Sequence, residues 1–219
     1  MIAKLLAAVL VTAAIGVTKI AQAQVAFADL ERRDGLYYEK GSETPFSGPV
    51  QSETGPTGQL ENGNRVGEWL WSYPDGSQQF WLVYNNEGVR ERSKRWHQNG
   101  RVDSEATYKN GRADGKMQHW YEDGTLRLEH SFVEGKQNGT ETIWDQDGTL
   151  LYSAEFDDGE RHGAVIWWYR NSNKRWETHF DHGVRTGTWI QSAEDGSLQM
   201  ETKWEGGALV SRHDPHAGH

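Results

Sequence analysis

The sequence predicts an all-β fold, an elongated single antiparallel sheet of repeated β-hairpins. Three observations carry this. An aromatic residue recurs every 24 residues, at Tyr84, Tyr108, Phe132, Phe156, Phe180 and Trp204. A turn glycine keeps the same beat at Gly76, Gly100, Gly124, Gly148 and Gly196, with Ser172 in the one missing slot. Between turns, apolar and polar residues alternate, as in Leu126, Leu128, His130 and Phe132 against Arg127, Glu129 and Ser131. A fixed self-similar period marks a repeat architecture, and period-two alternation marks half-buried strands.

Taken in order, residues 1–23 read as a secretory signal peptide. Lys4 precedes an apolar run from Leu5 to Val17, and Ala21-Gln22-Ala23 supplies a small-x-small cleavage site, with the cut after Ala23. The apolar core is short for a membrane span, and no second apolar stretch follows. The expectation is a periplasmic or secreted chain with no stable membrane span after signal cleavage. The chain has no cysteine, so no disulfide framework holds it and stability must come from stacking. The formal charge is −9, and loss of Lys4 and Lys19 takes it to −11. An acidic surface argues against non-specific binding to nucleic acid or anionic lipid.

Residues 24–59 form an N-terminal leader and irregular cap. Gln24 to Arg33 is a short polar leader, with a helix as one option. From Asp34, D-G-L-Y-Y-E-K-G-S-E-T-P-F-S-G-P-V suggests strand, loop and strand. Residues 60–210 are the repeats. Paired glycines at Gly63/Gly67, Gly111/Gly115, Gly135/Gly139, Gly159/Gly163 and Gly183/Gly187 mark the tight turn that opens each unit. No helical period follows them, so they are not phosphate-cradling loops. Asp123-Gly124, between alternating runs, reads as a two-residue hairpin loop. Each unit is then two strands, advancing about 10 Å along the sheet. Residues 211–219 form a flexible tail.

The two-residue loop would place His119 opposite Leu128 and Trp120 opposite Arg127. Trp96, Trp120, Trp144 and Trp168 then run in single file on one face, with Arg127, Leu151 and Arg175 opposite three of them. Two readings stand. One is cross-strand packing of Trp under an Arg or Leu stem, with cation–π attraction of roughly 0.5–1 kcal/mol. The other is an aromatic ladder for a protein partner or a glycan. A one-residue bulge would swap the faces. Arg90, Arg92, Lys94 and Arg95 form a basic run in an acidic chain, either a solvated face or a patch for an acidic partner. Arg92 takes the slot of a second glycine. His213, His216 and His219 are spaced by three, which makes the tail a weak candidate for a transition metal. No other metal and no cofactor is expected.

The N-G-x-x-x-G turn, the following W-x-x-x-G hairpin and the closing aromatic resemble MORN-repeat variants. With the opening segment from Asp34 to Val50, the chain resembles bacterial proteins labelled YwqK-family antitoxins, over residues 34–207. The resemblance implies an all-β hairpin array without catalytic residues, used for protein contacts and, in some MORN proteins, membrane contacts. The sequence has no G-x-S-x-G elbow, H-E-x-x-H motif, P-loop or cysteine nucleophile. Asp145-Gln146-Asp147-Gly148 lacks the further ligands of an EF-hand and reads as a hairpin turn. The expected function is a non-enzymatic scaffold for another protein, such as a cell-envelope component. The alternatives are an antitoxin or immunity protein that neutralises a toxin, and a glycan or cell-wall binder. Unpaired sheet ends would also allow a homodimer.

Overall fold

The computed structural model describes residues 24–53 and 55–217, so the segment read as a signal peptide and the last tail histidine, His219, lie outside the described residues. Among the described residues, one 17-stranded sheet and one two-stranded hairpin make up the fold. The large sheet follows chain order. It starts with Val25–Ala26 parallel to Gly48–Gln51 and proceeds by antiparallel neighbours to Ala208–His213. The leader is not helical as a whole. Only Phe27–Asp29 makes a single 3₁₀ turn, and Leu30–Arg33 pairs with Leu36–Glu39 as the small hairpin.

Two kinds of turn alternate. On one edge, Asp157 and Glu160 flank the two-residue turn Asp158-Gly159, with φ of 49° and 90°. Positive φ at both positions is the type I′ geometry that matches strand twist. On the other edge the turn is longer than the sequence suggested. The amide of Gly124 donates to Tyr121 O at 2.9 Å, the amide of Tyr121 donates to Thr125 O at 2.9 Å, and Gly124 has φ 91°. That is a four-residue turn closed by a glycine bulge, not a two-residue loop.

This correction moves the register near the turn and nowhere else. His119 does pair with Leu128, but Trp120 pairs with Leu126, and Arg127 is taken up as a bulge. The same shift recurs at Trp96↔Val102, Trp144↔Leu150 and Trp168↔Lys174. Arg127 and Arg175 are therefore bulge residues. Their guanidinium groups lie over Tyr121 at 5.9 Å and Tyr169 at 5.6 Å, instead of over Trp120 and Trp168.

Both edges are tied from unit to unit. The amides of Gly135, Gly159, Gly183 and Gly207 donate to the carbonyls of Ala113, Gln137, Arg161 and Arg185, at 2.7–3.0 Å. On the opposite edge, the hydroxyls of Tyr73 and Tyr121 donate to Trp96 O and Trp144 O, at 2.8 and 3.0 Å. His97 Nε2 lies 2.9 Å from Trp120 O, and the Tyr169 hydroxyl donates to Ser192 O at 3.1 Å. Asp145 occupies the ladder position between Tyr121 and Tyr169. Its Oδ1 accepts the amides of Asp147 and Thr149, which makes this segment the expected hairpin turn.

Most of the buried apolar side chains fall into two clusters, with Val66 and Ala106 outside them. The first joins the cap to the first repeat, with Leu30, Val50, Leu60 and Trp69 at its centre and Phe27, Tyr37 and Phe46 against it. The second holds Tyr152, Ala154 and Val165, with Ile143, Phe156 and Phe180 packed on it. Between them the face is more polar. His119 and His130 lie 6.1 Å apart, and His130 meets Phe132 edge-on at 4.9 Å.

Burial is the main force holding the His119 pKa below its ordinary 6.5; the positive Arg127, His130 and Arg95 add to it, and Asp103 opposes it. A histidine depressed in the folded state binds its proton more readily when unfolded. Stability is therefore complete above pH 6.5 and falls as acid takes the chain from there through the lower folded pKa. His119→Leu, which suits the neighbour Leu128, should reduce this acid sensitivity. Melting temperatures of both proteins at pH 8 and pH 5 check it, and an equal drop in the two would refute the assignment to His119.

Candidate binding groove

Three consecutive strands, Glu160–Trp168, Lys174–Asp181 and Val184–Ser192, build a groove of about 610 Å³. Register explains its floor. Val165 pairs with Thr178 and Trp167 with Trp176, so alternate residues of neighbouring strands share one face. Phe180 lies 5.3 Å from Trp189, whose indole N–H donates to His179 O and Thr186 O, both at 3.1 Å. That fixed indole gives the groove a rigid wall. Trp167 packs against the buried Tyr152 with ring centroids 4.4 Å apart and planes tilted by 51°, and is itself 46% exposed. The groove thus grows directly out of the second apolar cluster.

Arg161, Arg175 and Arg185 complete the lining. Arg161 lies 5.7 Å over Phe180, and Arg185 lies 5.0 Å over Trp189 and 4.7 Å over Trp204. Among the described residues, none of the three makes a carboxylate salt bridge. Stacking on an aromatic face leaves guanidinium N–H groups able to donate, and Arg161 also meets the Tyr152 hydroxyl. An aromatic floor with guanidinium donors that lack carboxylate partners suits a ligand that combines carboxylates with flat or apolar groups.

The four tryptophans of the predicted file are all half-buried, and Trp168 alone lines this groove. Trp96, Trp120 and Trp144 contribute their carbonyls to the edge ladder. Of the predicted arginines, Arg175 lines the groove and Arg127 does not.

The basic run is largely engaged. Arg90 lies 4.0 Å over Tyr108, Lys94 pairs with Glu105, and Arg95 pairs with Asp103. Arg92 and Lys94 line a smaller cavity of about 360 Å³ with Trp81, Glu105 and Lys116. In the tail, His213 ends the last strand, and the His216 amide donates to Asp214 Oδ1.

Sequence reasoning missed Arg161, Trp176, Arg185 and Trp189. A usable signal was present in the crowding of Trp167, Trp168, Trp176 and Trp189 with four arginines into two successive units. It also missed Asp103, which is 5% exposed at a bulge and holds Arg95 while lying 3.6 Å from His97 Nε2.

No curated protein matches the chain. A family model described as MORN repeat variant matches residues 92–110 and 113–134. Those residues cover the strand pairs centred on the polar middle of the sheet, and the same period runs through the units on either side. The matched residues are thus similar to MORN repeat variants, and they sit within one long, largely antiparallel sheet.

Proposed function

We propose that this chain is an exported, non-enzymatic repeat scaffold of the cell envelope, and that its groove receives an acidic, partly apolar segment of a protein partner. The observation that carries the reading is the groove itself. The guanidinium groups of Arg161 and Arg185 lie over its aromatic floor and Arg175 joins them in the lining, all without carboxylate partners among the described residues, in a chain of net charge −9. Charge complementarity selects an acidic partner and speeds encounter, and aromatic and arginine anchors dominate binding energies at protein interfaces. Export is supported by the Lys4, apolar-run and Ala21-Gln22-Ala23 pattern. The repeat sequence, which has no motif of a nucleophile or metal hydrolase, supports a binding role over catalysis.

The test is capture from the envelope fraction with the tagged mature protein, followed by affinity measurement on the purified partner. Trp176→Ala should weaken binding by about 30-fold, the factor that corresponds to roughly 2 kcal/mol for a central anchor. Arg161→Glu with Arg185→Glu should abolish it at moderate salt. Retention of wall polysaccharide instead, lost in the same variants, would assign the groove to a glycan. Binding to a protein that is indifferent to all three substitutions would move the interface elsewhere.

A further inference from the structure

The type I′ edge carries a second constellation, remote from any motif visible in the sequence. His162 lies on the Glu160–Trp168 strand, Asp181 ends the Lys174–Asp181 strand, and His182 is the first residue of the turn that follows. His162 Nδ1 is 3.4 Å from Asp181 Oδ1, and His182 Nε2 is 3.9 Å from the same oxygen. The two imidazole centroids are 4.5 Å apart. One donor atom from each of the three side chains lies within 4.8 Å of the others. Asp157 Oδ2, on the preceding turn, stands 3.9 Å from His182 Nδ1.

We propose that His162, Asp181 and His182 bind a divalent transition-metal ion, with Asp157 placed behind the site to accept the Nδ1–H of His182 and so aim its Nε2 at the ion. The chemistry of the donors sets the class. Two imidazoles with carboxylate oxygen suit zinc, copper or nickel, whereas calcium and magnesium prefer all-oxygen shells. Bonds of about 2.0–2.2 Å in a tetrahedron place ligand atoms about 3.4 Å apart. The His162–Asp181 separation already has that value and the other donor atoms lie within 4.8 Å of one another, a gap of the size that side-chain rotation covers.

The backbone beneath is already fixed. His182 has φ 41° and Gly183 φ 78°, and the Gly183 amide donates to Arg161 O at 2.8 Å, next to His162. The turn that carries one ligand is thereby clamped to the strand that carries another. The repeat does not dictate these histidines. The corresponding turn position holds Asn110, Glu134 or Asp158 in other units, and Asn138 stands one period before His162. All three side chains are exposed, so water completes the shell and the ion exchanges readily.

The experiment is zinc titration of the full mature chain by calorimetry, with His213, His216 and His219 replaced by alanine so that the tail cannot contribute. One Zn²⁺ per chain is expected, with a rise in melting temperature on saturation. His182→Asn keeps a residue that the turn accepts in other units. It should weaken zinc binding at least tenfold and remove the thermal shift, and His162→Gln should do the same. Absence of stoichiometric uptake, or uptake unchanged in both variants, would overturn the site and leave the cluster as histidine–carboxylate ion pairing.

Discussion

Trp69→Ala is expected to lower stability by about 3–5 kcal/mol, the range for truncating a buried aromatic. In a chain of this size that is a fall in melting temperature on the order of 10 °C. Trp69 is 0% exposed and sits in the cluster that joins the cap to the first repeat. Its indole N–H donates to Gln59 O at 3.2 Å, and Arg65 lies 4.7 Å over its ring. The fit is tight enough to exclude a methyl group from the facing strand. A Cβ added at Gly58 would lie 2.4 Å from the Trp69 ring. Gly58→Ala should therefore destabilise the same region by overpacking.

The damage should stay local. Repeat stability is a sum of unit and nearest-neighbour terms, and the two buried clusters involve separate sets of strands. Hydrogen exchange on the Trp69→Ala protein checks this. Amides in Thr57–Glu61 and Asn64–Ser72 should lose protection, while those in Leu150–Asp157 should keep it. Equal loss in both regions would show that the sheet unfolds as one body.

Tyr152→Ala carries the second large effect, about 3 kcal/mol or more, by the same truncation argument. Tyr152 is 3% exposed and supports Trp167 at 4.4 Å. Its removal takes away the platform beneath the groove, so ligand affinity should fall along with stability. Tyr152→Phe separates the two contributions. It keeps the ring in place and removes only the hydroxyl, which burial holds protonated beyond its ordinary range and whose partner, Arg161, stays partly in solvent. The phenylalanine variant should thus stay within about 1 kcal/mol of the parent. Denaturant unfolding followed in parallel with binding reads both quantities. A groove of unchanged affinity in a destabilised Tyr152→Ala protein would break the link between cluster and site.

The fold was largely legible because its period is written in residues that turns require. Gly63, Gly111, Gly135, Gly159 and Gly183 all adopt positive φ, as tight turns demand. The alternation of Leu126, Leu128 and His130 placed His119 opposite Leu128 correctly. The error lay at Arg127. Asp-Gly is compatible with either a two-residue loop or a four-residue turn with a bulge, and only the closing hydrogen bonds distinguish them. One inserted residue then sent Arg127 to Tyr121 instead of Trp120.

The groove was harder to read, because it depends on residues brought together across three strands. Trp167, Trp176 and Trp189 fall at different offsets within their units, so a search for one repeated slot passes over them. The period revealed the scaffold, whereas the groove lies where units depart from one another.

The backbone clamps from Gly135, Gly159, Gly183 and Gly207 each reach only the adjoining unit. The length of this molecule is therefore a quantity that can be edited in whole periods. Excising one 24-residue stretch from inside the array would offer every remaining clamp an equivalent carbonyl. One residue more or fewer would throw every later side chain onto the wrong face. Gene duplication can thus set the distance between the capped end and the open Ala208–His213 end in steps of about 10 Å, without redesigning either. The sheet works as a ruler whose graduations are its turns.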